Sequence, residues 1–320
     1  MHITRRAFVS SSSVLTTSLA FGPARAALNE RRTARLRRAM HHGRFVSYQP
    51  TAIRAVNGKL SDADDQSIAE DLVALRPWFD GLITYSAANG AERVPDIASK
   101  LGYRAVVLGI FDIGSAAEIE SALAAIRRNR QIVVGCVVGN ETILAGRGNW
   151  RDVSVAIAKV RAETDVAVST TEPFAQYLDQ KESALALSNM DFMTVNIHPI
   201  FEPWFRSGTP ANWTEFVSTV CDRLAARYRG PILVKETGVP SGPTASGFNE
   251  TMQHDFWRSL EKRMPAVPSR AFSYFTAFDS PWRAFDATPV SGPRPEEAHW
   301  GLFTEARAPK IVMTDLPRLS

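Results

Sequence analysis

Short, nearly continuous apolar runs recur along the chain from Phe45 onward, and they are rich in β-branched and aromatic residues. Strands that are covered on both faces show such runs instead of an alternation of apolar and polar positions, so the runs predict buried parallel strands. The eight predicted strands cover residues 45–49, 82–85, 105–111, 132–138, 166–170, 192–197, 232–235 and 271–277.

Between these runs, apolar residues recur at spacings of three and four, which predicts helices with one buried face. The pattern Ser61-x-x-Asp64 predicts the cap of the first helix. The five clearest stripes are Ile68, Leu72, Leu75 and Phe79; Ile119, Leu123 and Ile126; Val153, Ile157 and Val160; Phe216, Val220 and Leu224; and Phe248, Met252, Phe256 and Leu260.

Eight strands with interleaved helices over about 275 residues match a single (β/α)₈ barrel in both number and length. We therefore predict an α/β protein with one barrel domain at residues 45–320. A doubly wound open sheet is the alternative, but it would place a glycine-rich phosphate turn after its first strand. The segment Gln49-Pro50-Thr51-Ala52 is not such a turn.

Positive charge is concentrated at the start of the chain. Residues 1–44 hold nine Arg and one acid, Glu30, whereas the remaining 28 basic and 32 acidic side chains sum to −4. The mildly acidic body argues against nucleic-acid binding. Within the head, Thr4-Arg5-Arg6-Ala7-Phe8 is a twin-arginine pattern and Ala24-Arg25-Ala26 resembles a cleavage site.

These motifs predict a twin-arginine-type signal peptide at residues 1–26 and a periplasmic or secreted protein. Its apolar stretch is too short and too polar to span a membrane, so no integral span is expected after cleavage. A disordered basic N-terminus is the alternative. For the basic lead-in at residues 27–44 we weigh a mobile arm that contacts anionic lipid or acidic polysaccharide against a solvated helix, and favour the helix. Cys136 and Cys221 are expected to be buried and unpaired.

Two glutamates end apolar strands abruptly, where a barrel carries its active site. Glu141 follows the fourth predicted strand and Glu236 the seventh. These strands lie nearly opposite each other across an eight-stranded barrel, so the two carboxyls can converge on one substrate. Paired carboxylates are typical of glycosidic bond cleavage. Either residue alone could equally be a surface acid or an ion-pair partner.

Aromatic residues lie near the same predicted strand ends, and aromatic rings stack on the apolar faces of sugars. Each ring could instead belong to the core. No pair of histidines has the spacing of metal ligands, so neither a catalytic metal nor another cofactor is predicted. The aromatic candidates are Tyr48, Tyr85, Trp204, Phe278, Trp282 and Trp300.

Several segments resemble glycoside hydrolase family 17, which contains β-1,3-glucanases and related glucanosyltransferases. The clearest are Val138-Gly139-Asn140-Glu141 and Glu236-Thr237-Gly238-Val239-Pro240-Ser241. Residues 277–282 and 297–303 also match, and residues 46–50 and 170–173 match more weakly. The resemblance covers residues 45–310.

The resemblance implies a (β/α)₈ barrel and a retaining double displacement, with Glu141 as acid/base and Glu236 as nucleophile. Retention requires the two carboxyls to lie ~5–5.5 Å apart. Asn140 would bind the sugar 2-hydroxyl, and His198 would face Glu236 or the sugar.

Two further positions follow from the same resemblance. Glu172 would be a polar contact to the sugar. Val239 stands where the family usually has Trp, which removes a large ring near the expected cleft floor.

We therefore predict a monomeric retaining glycosidase that acts on β-1,3-glucan, a related β-glucan or a β-gluco-oligosaccharide. A β-1,3-glucanosyltransferase is the nearest alternative, because transfer and hydrolysis share one glycosyl-enzyme intermediate. A non-catalytic glucan-binding barrel is the alternative from another class.

Overall fold

Eight parallel strands close into a barrel in which each strand pairs with its neighbours in the chain, and the first also pairs with the last. The structure is a computed structural model that describes residues 23–56, 59–179, 181–285 and 294–319. The (β/α)₈ prediction is confirmed. The barrel strands are β1 Phe45–Tyr48, β2 Gly81–Thr84, β3 Ala105–Ile110, β4 Val133–Asn140, β5 Ala167–Pro173, β6 Met193–Asn196, β7 Ile232–Glu236 and β8 Arg270–Tyr274.

Helices surround the barrel, and a small antiparallel hairpin, Ala55–Val56 with Lys59–Leu60, follows β1. Short 3₁₀ helices occupy the connections, including Pro281–Phe285 and Pro295–His299 after β8. The α-helices in the described ranges are α1 Pro23–His42, α2 Asp65–Leu75, α3 Val94–Lys100, α4 Ala116–Arg128, α5 Trp150–Glu163, α6 Phe174–Asp179, α7 Ser183–Asn189, α8 Pro210–Ala225 and α9 Glu250–Arg263. None of the helices in these ranges is long and apolar enough to cross a membrane.

The start of α2 differs from the predicted cap. Asp64 is the N-cap residue, and its side chain accepts a hydrogen bond from the Ser67 amide. The Ser61 hydroxyl instead donates to the Ala52 carbonyl in the preceding loop. Phe79 lies beyond the end of α2, and Phe248 lies before the start of α9. Both side chains are nevertheless buried, as the predicted apolar stripes require.

The helix α1 closes the base of the barrel, at the amino ends of the strands. Leu36 and Met40 are fully buried and pack with inward-facing barrel residues such as Val134 and Phe192. The favoured prediction of a helix at 27–44 therefore needs a correction, because this helix has a buried face and is not merely solvated. The twin-arginine motif lies outside the described residues.

Hydrogen bonds from its arginines hold the basic helix α1 at the base of the barrel. Arg32 donates to the carbonyls of Arg161 and Val166 at 3.0 and 3.3 Å, and Arg35 donates to Gln131 at 2.7 Å. These acceptors lie in the last turn of a barrel helix or just beyond a helix end. Helix carboxyl termini carry partial negative charge, so they attract guanidinium groups. Cys136 and Cys221 are buried and unpaired, as predicted.

Candidate active site

A cleft of about 630 Å³ opens at the carboxyl ends of the barrel strands. Six residues predicted from the sequence line it: Tyr85, Asn140, Glu141, His198, Glu236 and Trp300. The cleft thus brings together both candidate catalytic carboxyls. Other side chains that line the cleft are Asn196, Phe201, Phe275, Arg283 and Arg294.

An unusual backbone at the end of β4 carries Glu141 into this cleft. Gly139 has φ +85°, and a Cβ there would lie 2.7 Å from the Thr142 hydroxyl, so only glycine fits. Glu141 itself has φ +52°, a conformation that is uncommon outside glycine. The pairing of β4 with β5 shifts register just before this point. Such local strain concentrates at functional sites.

The environment of Glu141 favours its protonated form. Burial, followed by the charge of Glu236, raises the pKa of Glu141. The opposing influences are a hydrogen bond from Asn196 Nδ2 to Glu141 Oε1 at 2.8 Å and the charges of His198 and Lys235. A carboxyl with a raised pKa is suited to donate a proton to a leaving group.

The environment of Glu236 favours the ionised form. Burial alone would raise its pKa, but the contact with His198 and the charges of Lys235 and Arg283 outweigh that effect and hold the pKa below its usual value. His198 Nε2 lies 3.5 Å from Glu236 Oε2. Two carboxyls in one cleft whose pKa values shift in opposite directions can serve as an acid and a nucleophile.

Aromatic rings and unpaired polar atoms form the rest of the wall. The His198 ring contacts Phe201, Phe275 and Trp300, with centroids 5.5, 5.3 and 5.2 Å away. Four buried polar atoms of the cleft have no hydrogen-bond partner among the described residues, and each can bind a sugar hydroxyl. They are Tyr85 Oη, Asn196 Oδ1, His198 Nδ1 and Trp300 Nε1.

Two polar candidates do not reach the cleft. Tyr48 is fully buried between β1 and α2, where its hydroxyl donates to Asp71 Oδ2 at 2.9 Å. Glu172 is also fully buried, and it accepts hydrogen bonds from the amides of Ile143 and Leu144 at 2.8 and 3.3 Å. Glu172 therefore supports the loop that follows Glu141, and burial raises its pKa to about 7. The predicted sugar contacts of both residues are wrong.

Three aromatic candidates also lie elsewhere, because the loops after the strands turn them aside. Trp204 packs on Phe216 of α8, with centroids 5.4 Å apart. Trp282 is half-buried outside the main cleft, with the Arg283 guanidinium 5.6 Å from its ring. Phe278 is 4% exposed and borders only a narrow side extension of the cleft. Val239 is buried and does not line the cleft.

Sequence reasoning missed the cations of the site. Lys235 precedes Glu236, and strict strand alternation would turn one of the two side chains away. The pairing of β7 with β6 shifts register at this point, between Val195 and Asn196, and both side chains lie at the barrel mouth. Arg283 and Arg294 reach the cleft from the connection after β8, which no periodicity could place. No group of three His, Cys, Asp or Glu side chains able to hold a metal ion occurs in the described ranges.

A (β/α)₈ barrel has the architecture of a glycoside hydrolase when two carboxyls with opposite pKa shifts line one cleft at the carboxyl ends of its strands. A family model for the BtgE/BtgC glycoside hydrolase domain matches residues 46–301. The chain therefore belongs to this family and is a glycosidase. The resemblance stated from the sequence motifs is confirmed.

Similar proteins agree with this placement. A glucan 1,3-beta-glucosidase from Arthroderma benhamiae is 24% identical over 275 residues, which cover 81% of this chain and 87% of that protein. An endo-laminarinase from Formosa Hel1_33_131 superposes with a TM-score of 0.68 at 16% identity, covering 87% of this chain and 86% of that one. A family 17 β-1,3-glucanosyltransferase from Rhizomucor miehei has a TM-score of 0.63 at 19% identity, with 86% and 97% covered.

Proposed function

We propose that this glycosidase cleaves β-1,3-glucan or its oligosaccharides with retention of configuration, with Glu236 as nucleophile and Glu141 as acid/base. The observation that carries the proposal is the convergence of Glu141 and Glu236, from the ends of β4 and β7, on one cleft. The opposite directions of their pKa shifts support the two roles. The choice of β-1,3 linkages draws support from the names of the relatives described above.

The first half of the reaction forms a glycosyl-enzyme. The Glu236 carboxylate attacks the anomeric carbon, and the bond to the leaving oxygen breaks as Glu141 transfers its proton to that oxygen. In the second half Glu141 takes a proton from water, and the resulting hydroxide displaces Glu236 from the anomeric carbon. The enzyme thereby returns to its starting protonation state.

The same charges explain how Glu141 changes role between the two halves. The negative charge of Glu236 contributes to the raised pKa of Glu141. Once Glu236 is esterified this charge is gone, so the pKa of Glu141 falls and the residue becomes a carboxylate that can act as a base. Lys235 and Arg283 are the cations that lower the pKa of Glu236. Both remain in place through the two halves of the reaction.

Transfer to a sugar is the second candidate, because the Rhizomucor miehei relative is a glucanosyltransferase. A sugar hydroxyl would then replace water in the second half. We further propose that the protein acts as a monomer after export, with residues 1–26 removed. The twin-arginine pattern followed by the Ala24-Arg25-Ala26 motif supports the export and the cleavage.

Product analysis on a series of laminari-oligosaccharides tests the proposal. Shorter products alone indicate hydrolysis, and products longer than the substrate indicate transfer. Glu236→Gln should abolish turnover while leaving oligosaccharide binding measurable by calorimetry. Full activity of that variant, or no cleavage of any β-1,3-linked substrate by the unmodified enzyme, would overturn the proposal.

A further inference from the structure

Lys235 lies wholly buried beneath the cleft, one residue before Glu236. Its Nζ is 2.6 Å from Asn140 Oδ1 and 4.0 Å from the centroid of the Tyr85 ring. Lysine is seldom fully buried, because removing an ammonium group from water is costly unless partners compensate for it. The reaction steps described above give this side chain no proton to transfer.

The contact with Lys235 determines which way the Asn140 amide points. An ammonium group only donates hydrogen bonds, so the Asn140 atom at 2.6 Å must be the carbonyl oxygen. The amide nitrogen is therefore directed away from Lys235. Asn140 lines the cleft, and its Nδ2 donates to no described residue. A donor is thus oriented towards bound sugar before substrate arrives, which reduces the ordering needed on binding.

Lys235 also stands among the charges of the reaction. The groups that act on it are Glu236 from its own strand, Glu141 from the end of β4 and Arg283 from the connection after β8. The neutral Tyr85 ring, just after β2, covers it from a fourth element. Burial lowers the pKa of Lys235 to about 8, with the two glutamates opposing that shift and Arg283 reinforcing it.

We propose that Lys235 is a positioning residue that holds Asn140 with its amide nitrogen towards the sugar 2-hydroxyl and whose charge sets the working pH range of Glu141 and Glu236. This inference rests on the proposed function and on the contact of Asn140 with that hydroxyl, which the family resemblance implies. The positive charge of Lys235 lowers the pKa of both glutamates. Its removal should therefore raise both pKa values together.

The first test is the pH profile of Lys235→Met, measured with an aryl β-glucoside so that linkage preference does not enter. Its leaving group must be poor enough to need the proton of Glu141. The ionisation of Glu236 governs the acidic limb of kcat/KM, and the proton of Glu141 governs the alkaline limb. Both limbs should move to higher pH, and kcat/KM at the optimum should fall by about 10²-fold. Lys235→Arg keeps the charge and should leave the limbs near their original positions.

Lys310→Met is the matched control. Lys310 is a second buried lysine, 7% exposed, which bonds Asp279 and Ser241 away from the cleft. Its loss should lower the melting temperature without moving either limb. Unmoved limbs in Lys235→Met, or equal movement in Lys310→Met, would overturn the role of the Lys235 charge.

A double-mutant cycle tests the link to Asn140. If Lys235 acts through Asn140, the losses from Lys235→Met and Asn140→Ala should not add, and a 2-deoxy substrate should show little further loss with either variant. Additive losses would contradict the link. Carbon-13 NMR titration of the Glu141 and Glu236 carboxyls in the Lys235→Met enzyme detects the pKa changes without turnover. An enzyme that cleaves no β-glucoside but shows both shifts would refute the proposed function and keep the charge role of Lys235.

Discussion

The mouth and the base of this barrel both hold charged side chains against the same strands, but the partners that compensate these charges differ between the two regions. At the base, Arg32 and Arg35 donate to main-chain carbonyls near helix ends, and α1 buries Leu36 and Met40 beneath the barrel. At the mouth, the partly buried Glu141 and the buried Glu236 line one cleft with opposite pKa shifts.

The difference separates a stabilising surface from a reactive one. At the base, the arginine side chains donate to main-chain carbonyls, so their hydrogen-bond partners belong to the folded protein itself. The mouth retains buried donors and acceptors without described partners, such as Tyr85 Oη and His198 Nδ1, together with left-handed backbone at Glu141. Unsatisfied polar groups and strain of this kind cost stability and are found where a ligand binds. The comparison predicts that substitutions at the mouth change rates, whereas those at the base change stability.

Among the tests of this comparison, the largest effect is expected for Glu141→Gln. Without a proton donor, turnover of a natural glucan should fall by about 10³-fold, within the usual range for general acid catalysis. An activated aryl glycoside needs no protonated leaving oxygen, so its glycosylation step should lose much less. Steady-state and burst kinetics on both substrates measure the difference. Equal losses on the two substrates would remove Glu141 from the acid role.

The next effect belongs to the base. Met40→Ala removes a fully buried side chain, and a cavity there should lower the free energy of unfolding by about 2–5 kcal/mol. The kcat of the folded fraction should stay unchanged, because α1 lies at the opposite end of the strands from Glu236. Val155→Ala on α5, where the side chain is mostly exposed, is the control and should change stability by less than about 0.5 kcal/mol. A fall in kcat for Met40→Ala would show that the two ends are coupled.

These two regions were not equally predictable from the sequence. Apolar runs identified all eight strands, and the abrupt strand ends identified Glu141 and Glu236, because burial and strand length leave a local signal. Whether a residue at a strand end faces the cleft depends on a shift of one position, which explains the wrong predictions for Tyr48 and Glu172. Lys235 escaped notice for the same reason.

The role of α1 could not be predicted because its partners are distant in the sequence. The carbonyl that Arg35 contacts is 96 residues away, and the one that Arg32 contacts at Arg161 is 129 residues away. A run of arginines predicts positive charge, but it contains no information about which helix ends the fold will bring to meet it.

A smaller effect concerns the pH dependence of stability just behind the mouth. Glu172 has its pKa raised to about 7 by burial, so between its unfolded value near 4.5 and about 7 the native state holds a proton that the unfolded chain has released. The free energy of unfolding therefore falls as pH rises through this window. Relative to wild type, Glu172→Gln should gain about 1–3 kcal/mol on going from pH 4 to pH 8.

Urea unfolding at several pH values measures that change. Glu120→Gln, at a mostly exposed side chain on α4, is the control and should differ from wild type by the same amount at both ends of the window. A stability difference for Glu172→Gln that does not vary with pH would contradict the burial of a titrating carboxyl behind the Glu141 loop.

The smallest effect distinguishes a hydrogen-bonded arginine from an exposed one on the same helix. Arg35→Met removes a donor from the Gln131 carbonyl and should cost about 1 kcal/mol of unfolding free energy. Arg38→Met removes the same formal charge from an exposed position and should cost less than about 0.5 kcal/mol. Both are measured by urea unfolding at low and high salt. If the two variants lost the same unfolding free energy and both losses disappeared at high salt, the overall positive charge of α1 would hold the base. The contrast with the mouth would then lose its structural basis. If Arg35 alone matters and its cost persists in salt, individual carbonyl partners stabilise the base, as bound sugar hydroxyls are expected to do at the mouth.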